Sequence, residues 1–161
     1  EKINILIVGA TSGISYGKAA SNGSWANTLF TEIEGNYDKN RVHLLGIVDY
    51  TDYLRVLQRS DVHVYLTYPF VLSWSLLESM SIGCPIVASA TKPVQEVIED
   101  GIQGTLIDFF DINSLVRSVE LNIQNPDLGY QHGLAARKII LSKYELRSCL
   151  KQQVDLIENL I

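Results

Sequence analysis

The sequence predicts an α/β fold of Rossmann type: a doubly wound parallel sheet of about five strands, helices on both faces, and further helices at the C-terminal end. Three observations predict it. Short apolar runs alternate with helical patterns along most of the chain. Those runs are apolar at successive positions rather than at every second one, as strands covered on both faces require. The length of 161 residues, 47% of them hydrophobic, suffices for one domain with a sizeable core.

Segments 3–9 (INILIVG), 42–46 (VHLLG), 62–67 (VHVYLT), 85–89 (PIVAS) and 104–109 (GTLIDF) read as strands. Helical patterns occupy 25–35, 52–60, 74–82, 93–99 and 111–124, with start signals at Thr51 or Asp52, Ser73 or Ser75, Pro93 and Asp111. Alternation of this kind implies parallel βαβ units with right-handed crossovers. A late helical region holds His132 and Gly133. Segment 144–161 then places Leu146, Leu150, Val154, Ile157 and Leu160 or Ile161 at three- and four-residue spacing, so that one stripe faces the domain. No repeat or linker interrupts this pattern, and the expectation is a single domain over 1–161.

Composition narrows the function. A net charge of −5 and a pI near 5.1, with no cluster of Lys or Arg, argue against a nucleic-acid partner. No run approaches the roughly 20 apolar residues of a membrane-spanning helix, and no signal peptide opens the chain. The first residues lead straight into a strand, as if cut from something longer. Cys84 and Cys149 lack metal-ligand spacing and read as buried thiols of a reducing cytoplasm. No His, Asp and Glu set has metal spacing; His43 and His63 read as structural or surface residues, and His132 has no evident partner.

Segment 8–14 (VGATSGI) resembles the glycine-rich turn with which short-chain dehydrogenases hold a nicotinamide cofactor, yet the surroundings reject that reading. Gly9 and Gly13 fit, but Ser15 takes the third glycine position, and a polar loop follows, with no helix before Ser24 or Trp25. The next strand ends in Gly46 rather than in the acidic residue that would hold the ribose. None of the eight tyrosines has a lysine four residues on, as the dehydrogenase acid–base pair needs.

Segment 62–104 carries the function. Its Leu76-Leu77-Glu78-Ser79-Met80-Ser81-Ile82-Gly83-Cys84-Pro85-Ile86-Val87-Ala88-Ser89 resembles the L-x-E-A-M-A-x-G-x-P-V-V-A-S run of retaining, GT-B-fold glycosyltransferases of the group 1 type. Val94 to Gly104 is similar to that family's P-E-V-I-x-D-G-x-x-G element. Upstream, VHLLGIV, Tyr53-Leu54 and Ser60-Asp61-Val62 resemble its F-L-G-x-V, L and A-D-V run. The resemblance covers nearly the whole chain in the right order. It implies the C-terminal, nucleotide-sugar-binding half of a hexosyltransferase that moves a sugar to an acceptor with retention of configuration.

The resemblance also assigns residues. The backbone of Gly46, Ile47 and Val48 receives the base. Ser73, Trp74, Ser75 and Leu76 form a helix start whose amides and dipole suit a diphosphate, and Glu78, in the first turn, accepts from the ribose hydroxyls. No metal and no cofactor are implied; the nucleotide sugar is a substrate. The acceptor (glycan, lipid or small molecule) falls to an N-terminal domain outside the chain, which leaves open peripheral membrane association through that half. Other readings stand beside these. Ser75-x-x-Glu78 fits a capping box, Trp74 fits core filling as well as a sugar pocket, Glu96 fits a cap of its own helix, and Gly101 and Gly104 fit tight turns.

Two departures qualify the resemblance. Many family members carry a second glutamate eight residues before the ribose glutamate, touching the donor sugar; here that position is Phe70, so sugar recognition must differ. The family's phosphate-gripping arginine and lysine, with its first strand, have no counterpart before segment 3–9, and Lys2 and Lys18 do not match them. The chain is therefore expected to lack transferase activity by itself. A non-catalytic binding or scaffold module on the same fold is the main alternative. An epimerase is a third, and it would need carboxylates and a histidine converging on the sugar.

Overall fold

The computed structural model describes residues 3–13, 20, 21, 23–68 and 70–160. The chain divides into two compact units, Glu1–Val56 and Leu57–Ile161. In the first, β1 (Ile5–Val8) pairs in parallel with β2 (Val42–Gly46), Ile5 opposite Val42 and Val8 opposite Gly46, with an irregularity between Ile7 and Val8. The ladder continues one step as the Gly9 N–H donates to the Gly46 carbonyl at 2.9 Å. Helix α1 (Trp25–Glu32) starts where the sequence delays it. Its N-cap Ser24 accepts from the Asn27 N–H at 3.2 Å and donates to the Thr11 carbonyl at 2.6 Å. Sixteen residues separate Val8 from Trp25, so no helix follows the glycine turn at once; most of the intervening loop, Ser15 and Lys18 included, lies outside the described residues.

Two expectations about this unit need correction. Its strands are not covered on both faces: Ile5 is 51% exposed and Leu44 43%. The one α-helix lying wholly among its described residues, α1, has no fully buried residue. Helix α2 (Tyr50–Arg59), which crosses the division between the units, is capped by neither Thr51 nor Asp52. The Asp49 carboxylate accepts from the Asp52 N–H at 2.8 Å and starts the helix two residues early.

The second unit holds a three-stranded parallel sheet in the order β3 (His63–Tyr65), β4 (Ile86–Ser89), β5 (Thr105–Ile107). His63 faces Ile86, and Val87 faces Thr105. The central strand β4 is buried at all four positions, as its unbroken apolar run predicts. Helix α3 (Trp74–Ile82) follows β3 and α4 (Lys92–Gln95) follows β4. After β5 come α5 (Ile112–Gln124), α6 (Pro126–Lys143) and α7 (Leu146–Glu158). The core gathers Leu76 and Met80 from α3, Ile86 and Ala88 from β4, Val94, Val97 and Ile98, and Ala136 and Ile140 from α6.

Glycines permit a close contact beside this core. Gly83 ends α3 in the left-handed region, φ +83°, and its carbonyl oxygen lies 2.0 Å from where a Cβ on Gly133 of α6 would stand. A second helical glycine, Gly129, lets Pro85 approach to 3.0 Å of its own Cβ position. Between β4 and β5, Gly101 turns at φ +75°, whereas Gly104 serves packing, since a Cβ there would meet the Ile86 carbonyl at 2.9 Å. Glu96 sits at the C-terminal end of α4, whose N-cap is Thr91.

The C-terminal stripe is the third correction. Helix α7 forms, capped by the Glu145 carboxylate on the Ser148 N–H at 2.8 Å, but none of its residues is buried. Leu146 is 76% exposed and Leu150 55%; the periodicity made the helix without burying it. Cys84 is buried, its thiol pushed up to about 11 by burial, while Cys149 on α7 is only half-buried; both thiols are free.

Candidate functional site

All three strands of the second unit point their carboxyl ends to one edge, where ligands of open parallel sheets bind. The loop leaving β3 is fastened there at both ends. Ser89, the last residue of β4 and fully buried, accepts from the Thr67 N–H at 2.9 Å and donates to the Thr67 carbonyl at 2.8 Å. At the far end the Ser73 N–H donates to the Tyr65 hydroxyl at 3.2 Å. Ser73 is the N-cap of α3: its hydroxyl accepts from the Ser75 N–H at 3.3 Å and lies 2.8 Å from the Ser75 hydroxyl.

This cap overturns one reading of Glu78, the capping box. A capping box needs Ser75 at the N-cap with Glu78 three residues on. Ser75 instead lies inside α3, and Glu78 stands five residues beyond the cap, half-buried, in the second turn rather than the first. Leu76 is fully buried in the core, and its N–H donates to the Ser73 carbonyl at 3.2 Å. Two of the amides expected to meet a diphosphate are thus engaged within the helix start itself. Trp74, 84% exposed, fills no core. In the first unit, Gly46 takes φ +68°, Ile47 is 79% exposed and Val48 half-buried, immediately before the Asp49 cap.

A pocket of about 610 Å³ opens beyond the three strand ends. Tyr68 and Phe70 reach it from the loop after β3, Lys92 from the start of α4, and Asp108, Phe109 and Phe110 from the end of β5. Tyr68, Phe109 and Phe110 contact one another edge to face, with ring centroids 5.0–5.7 Å apart. The Asp108 carboxylate accepts from the Phe110 N–H at 2.8 Å, which fixes the turn that presents both phenylalanines. The Thr91 hydroxyl at the wall is buried with no hydrogen-bond partner among the described residues.

The sequence had marked only Phe70 of these wall residues. The signal for the rest was the position of DFF at the end of the last predicted strand, and of ATK directly after β4, where strand ends meet a ligand edge. The described wall holds one carboxylate and no histidine, which does not supply the acid–base set of an epimerase. Among the described residues, no group of three or more His, Cys, Asp and Glu is arranged to hold a metal ion.

Residues 1–139 match the family model of glycosyl transferases group 1. An uncharacterized glycosyltransferase of Methanocaldococcus jannaschii, MJ1069, is 27% identical over 162 residues, covering 100% of this chain and 38% of the relative. Among solved structures, Anabaena Alr3699/HepE in complex with UDP superposes with a TM-score of 0.83 at 19% identity, covering 98% of this chain and 41% of that one. The sucrose-phosphate synthase of Thermosynechococcus elongatus gives 0.77 at 22% identity, over 96% of this chain and 38% of its own. The chain therefore spans about two fifths of the length of these relatives.

Proposed function

Because the chain belongs to the group 1 glycosyltransferase family, we propose that it supplies the donor site of an enzyme that moves a hexose from UDP to an acceptor with retention of configuration. One observation carries the reading. The loop that walls the pocket beyond β3 runs directly into α3, which bears Glu78, so sugar pocket and ribose carboxylate are served by one continuous segment. UDP is the nucleotide of the Anabaena complexes, one of them with UDP-glucose, which supports it as the donor diphosphate here.

In this reading Glu78 accepts from the ribose hydroxyls, a charge-assisted bond of roughly 1.5–3 kcal/mol. Ser73 and Ser75 give up part of their mutual bonding to the diphosphate, beside the exposed Trp74. Positioned amides and basic side chains stabilise the leaving diphosphate, with no metal assigned a role. The acceptor is a glycan, lipid or small molecule held by the rest of the protein, in the cytoplasm, which the two free thiols favour. The transfer belongs to the whole protein, and this chain alone is expected to bind without turning over.

The test is product stereochemistry. Full-length protein given UDP-sugar and an acceptor library is expected to yield a product whose anomeric configuration, read by NMR, matches that of the donor. Inversion would contradict the reading. Phe70 at the position of the family's sugar-contacting glutamate favours one rival, a non-catalytic binding module; such a module would bind UDP and yield no product.

A further inference from the structure

Resting on the donor-site reading above, we propose that the pocket beyond β3, β4 and β5 selects a donor sugar bearing an acetamido substituent. Its volume of about 610 Å³ lies within the range of ligand sites. Its wall is chiefly aromatic. Tyr68, Phe109 and Phe110 brace one another, and Phe70 adds a fourth ring where the resembling enzymes carry a carboxylate. Tyr68, Phe70 and Phe110 are each more than 60% exposed, a cluster of solvated apolar surface at the ligand edge of the sheet. A wall of this kind rewards an apolar group on the ligand.

Two charges stand in the same pocket. The Asp108 carboxylate spends one oxygen on the Phe110 N–H and keeps its second to accept from a ligand. Lys92 presents an ammonium from the first residue of α4, and no ion pair among the described residues engages either charge. An acetamido group answers each feature: its methyl meets the rings, its N–H donates to the carboxylate, and its carbonyl accepts from the ammonium. The other sugar classes answer fewer. A plain hexose has its C–H face for the rings and hydroxyls for the charges, but brings no methyl to the aromatic wall. A uronate suits Lys92 but brings a second carboxylate towards Asp108. A deoxy sugar suits the rings and meets the charges through hydroxyls alone, without the amide's N–H and carbonyl beside its methyl.

The experiment measures displacement of UDP from the full-length protein by UDP-N-acetylglucosamine, UDP-N-acetylgalactosamine, UDP-glucose, UDP-galactose and UDP-glucuronate. One of the two acetamido sugars is expected to bind at least about tenfold more tightly than its unsubstituted counterpart, the scale of a single well-placed group in a pocket. Phe110→Ala, at an exposed position, is expected to bring that ratio towards one, and Phe70→Glu to do the same by placing a carboxylate in the wall. If UDP binds but a plain hexose or the uronate is preferred or equal, the inference is overturned while the donor site stands. If UDP itself does not bind, the donor-site reading fails, and this inference with it.

Discussion

Ser73 shows how one hydroxyl sets the register of a helix. By taking the N-cap it starts α3 at Trp74, places Glu78 in the second turn, and leaves no capping box between Ser75 and Glu78. The two cysteines are separated just as sharply by their surroundings. The Cys84 thiol is pushed up to about 11, chiefly by burial, and donates to the Ser60 carbonyl at 3.7 Å, so thiolate is scarce at pH 8. Cys149 is half-buried on α7. Native protein treated with a thiol reagent at pH 8 is expected to label Cys149 promptly and Cys84 only on unfolding, as peptide mapping would show. Equal labelling would contradict the burial of Cys84.

His63 provides a pH test. Burial lowers its pKa below the ordinary value near 6.5, and its Nε2 has no hydrogen-bond partner among the described residues. In the unfolded chain the imidazole takes up a proton as pH falls through 6.5, while in the folded state it resists. The stability it confers is therefore complete above 6.5 and is lost as pH falls towards the lowered value. His63→Gln removes this loss, so urea midpoints of variant and wild type are expected to converge, or cross in favour of the variant, between pH 7 and pH 5. A difference constant over that range would show that His63 does not titrate this way.

At the scale of elements, glycines set the close contact of α3 with α6. Two helical glycines each cost about 1 kcal/mol in propensity, yet they let the end of α3 and the turn into β4 lie against α6. Gly133→Ala would regain that propensity but drive a methyl into the Gly83 carbonyl, 2.0 Å from the Cβ position. It is expected to lower stability by about 1–3 kcal/mol, as overpacking does, measured by chemical denaturation. A stabilised variant would contradict the close approach. This contact was not legible beforehand. Gly129 and Gly133 weaken the helical pattern of α6, and their reason lies in Gly83 and Pro85, more than 40 residues away.

The caps show the same division. Ser73 and Asp111 were readable because each stands directly before an apolar run, and both cap their helices. Asp49 was missed because two other polar residues, Thr51 and Asp52, stood nearer the expected start. The exposed stripe of α7 has a different cause. Periodicity records that a helix has an apolar face, and it carries no information about what covers that face.

For the whole molecule, five strands, paired in parallel within a two-stranded and a three-stranded sheet, followed from alternating apolar and helical runs, and the family followed from LLESMSIGCPIVAS together with the segments that flank it in order. Burial was less legible. The runs at β1 and β4 look alike in sequence, yet β4 is enclosed and β1 is exposed, because enclosure depends on the helices around a strand. The pocket was legible least, since Tyr68, Lys92 and Phe110 come together only when three strand ends converge.

The central claim is that Glu78 holds the ribose of a nucleoside diphosphate, and ligand-observed NMR with UDP, GDP, ADP and NAD tests it most directly. UDP is expected to bind, and Glu78→Ala to weaken it by about tenfold or more, the scale of a lost charge-assisted hydrogen bond. Binding of NAD, or of UDP with undiminished affinity in the Glu78→Ala variant, would contradict the account.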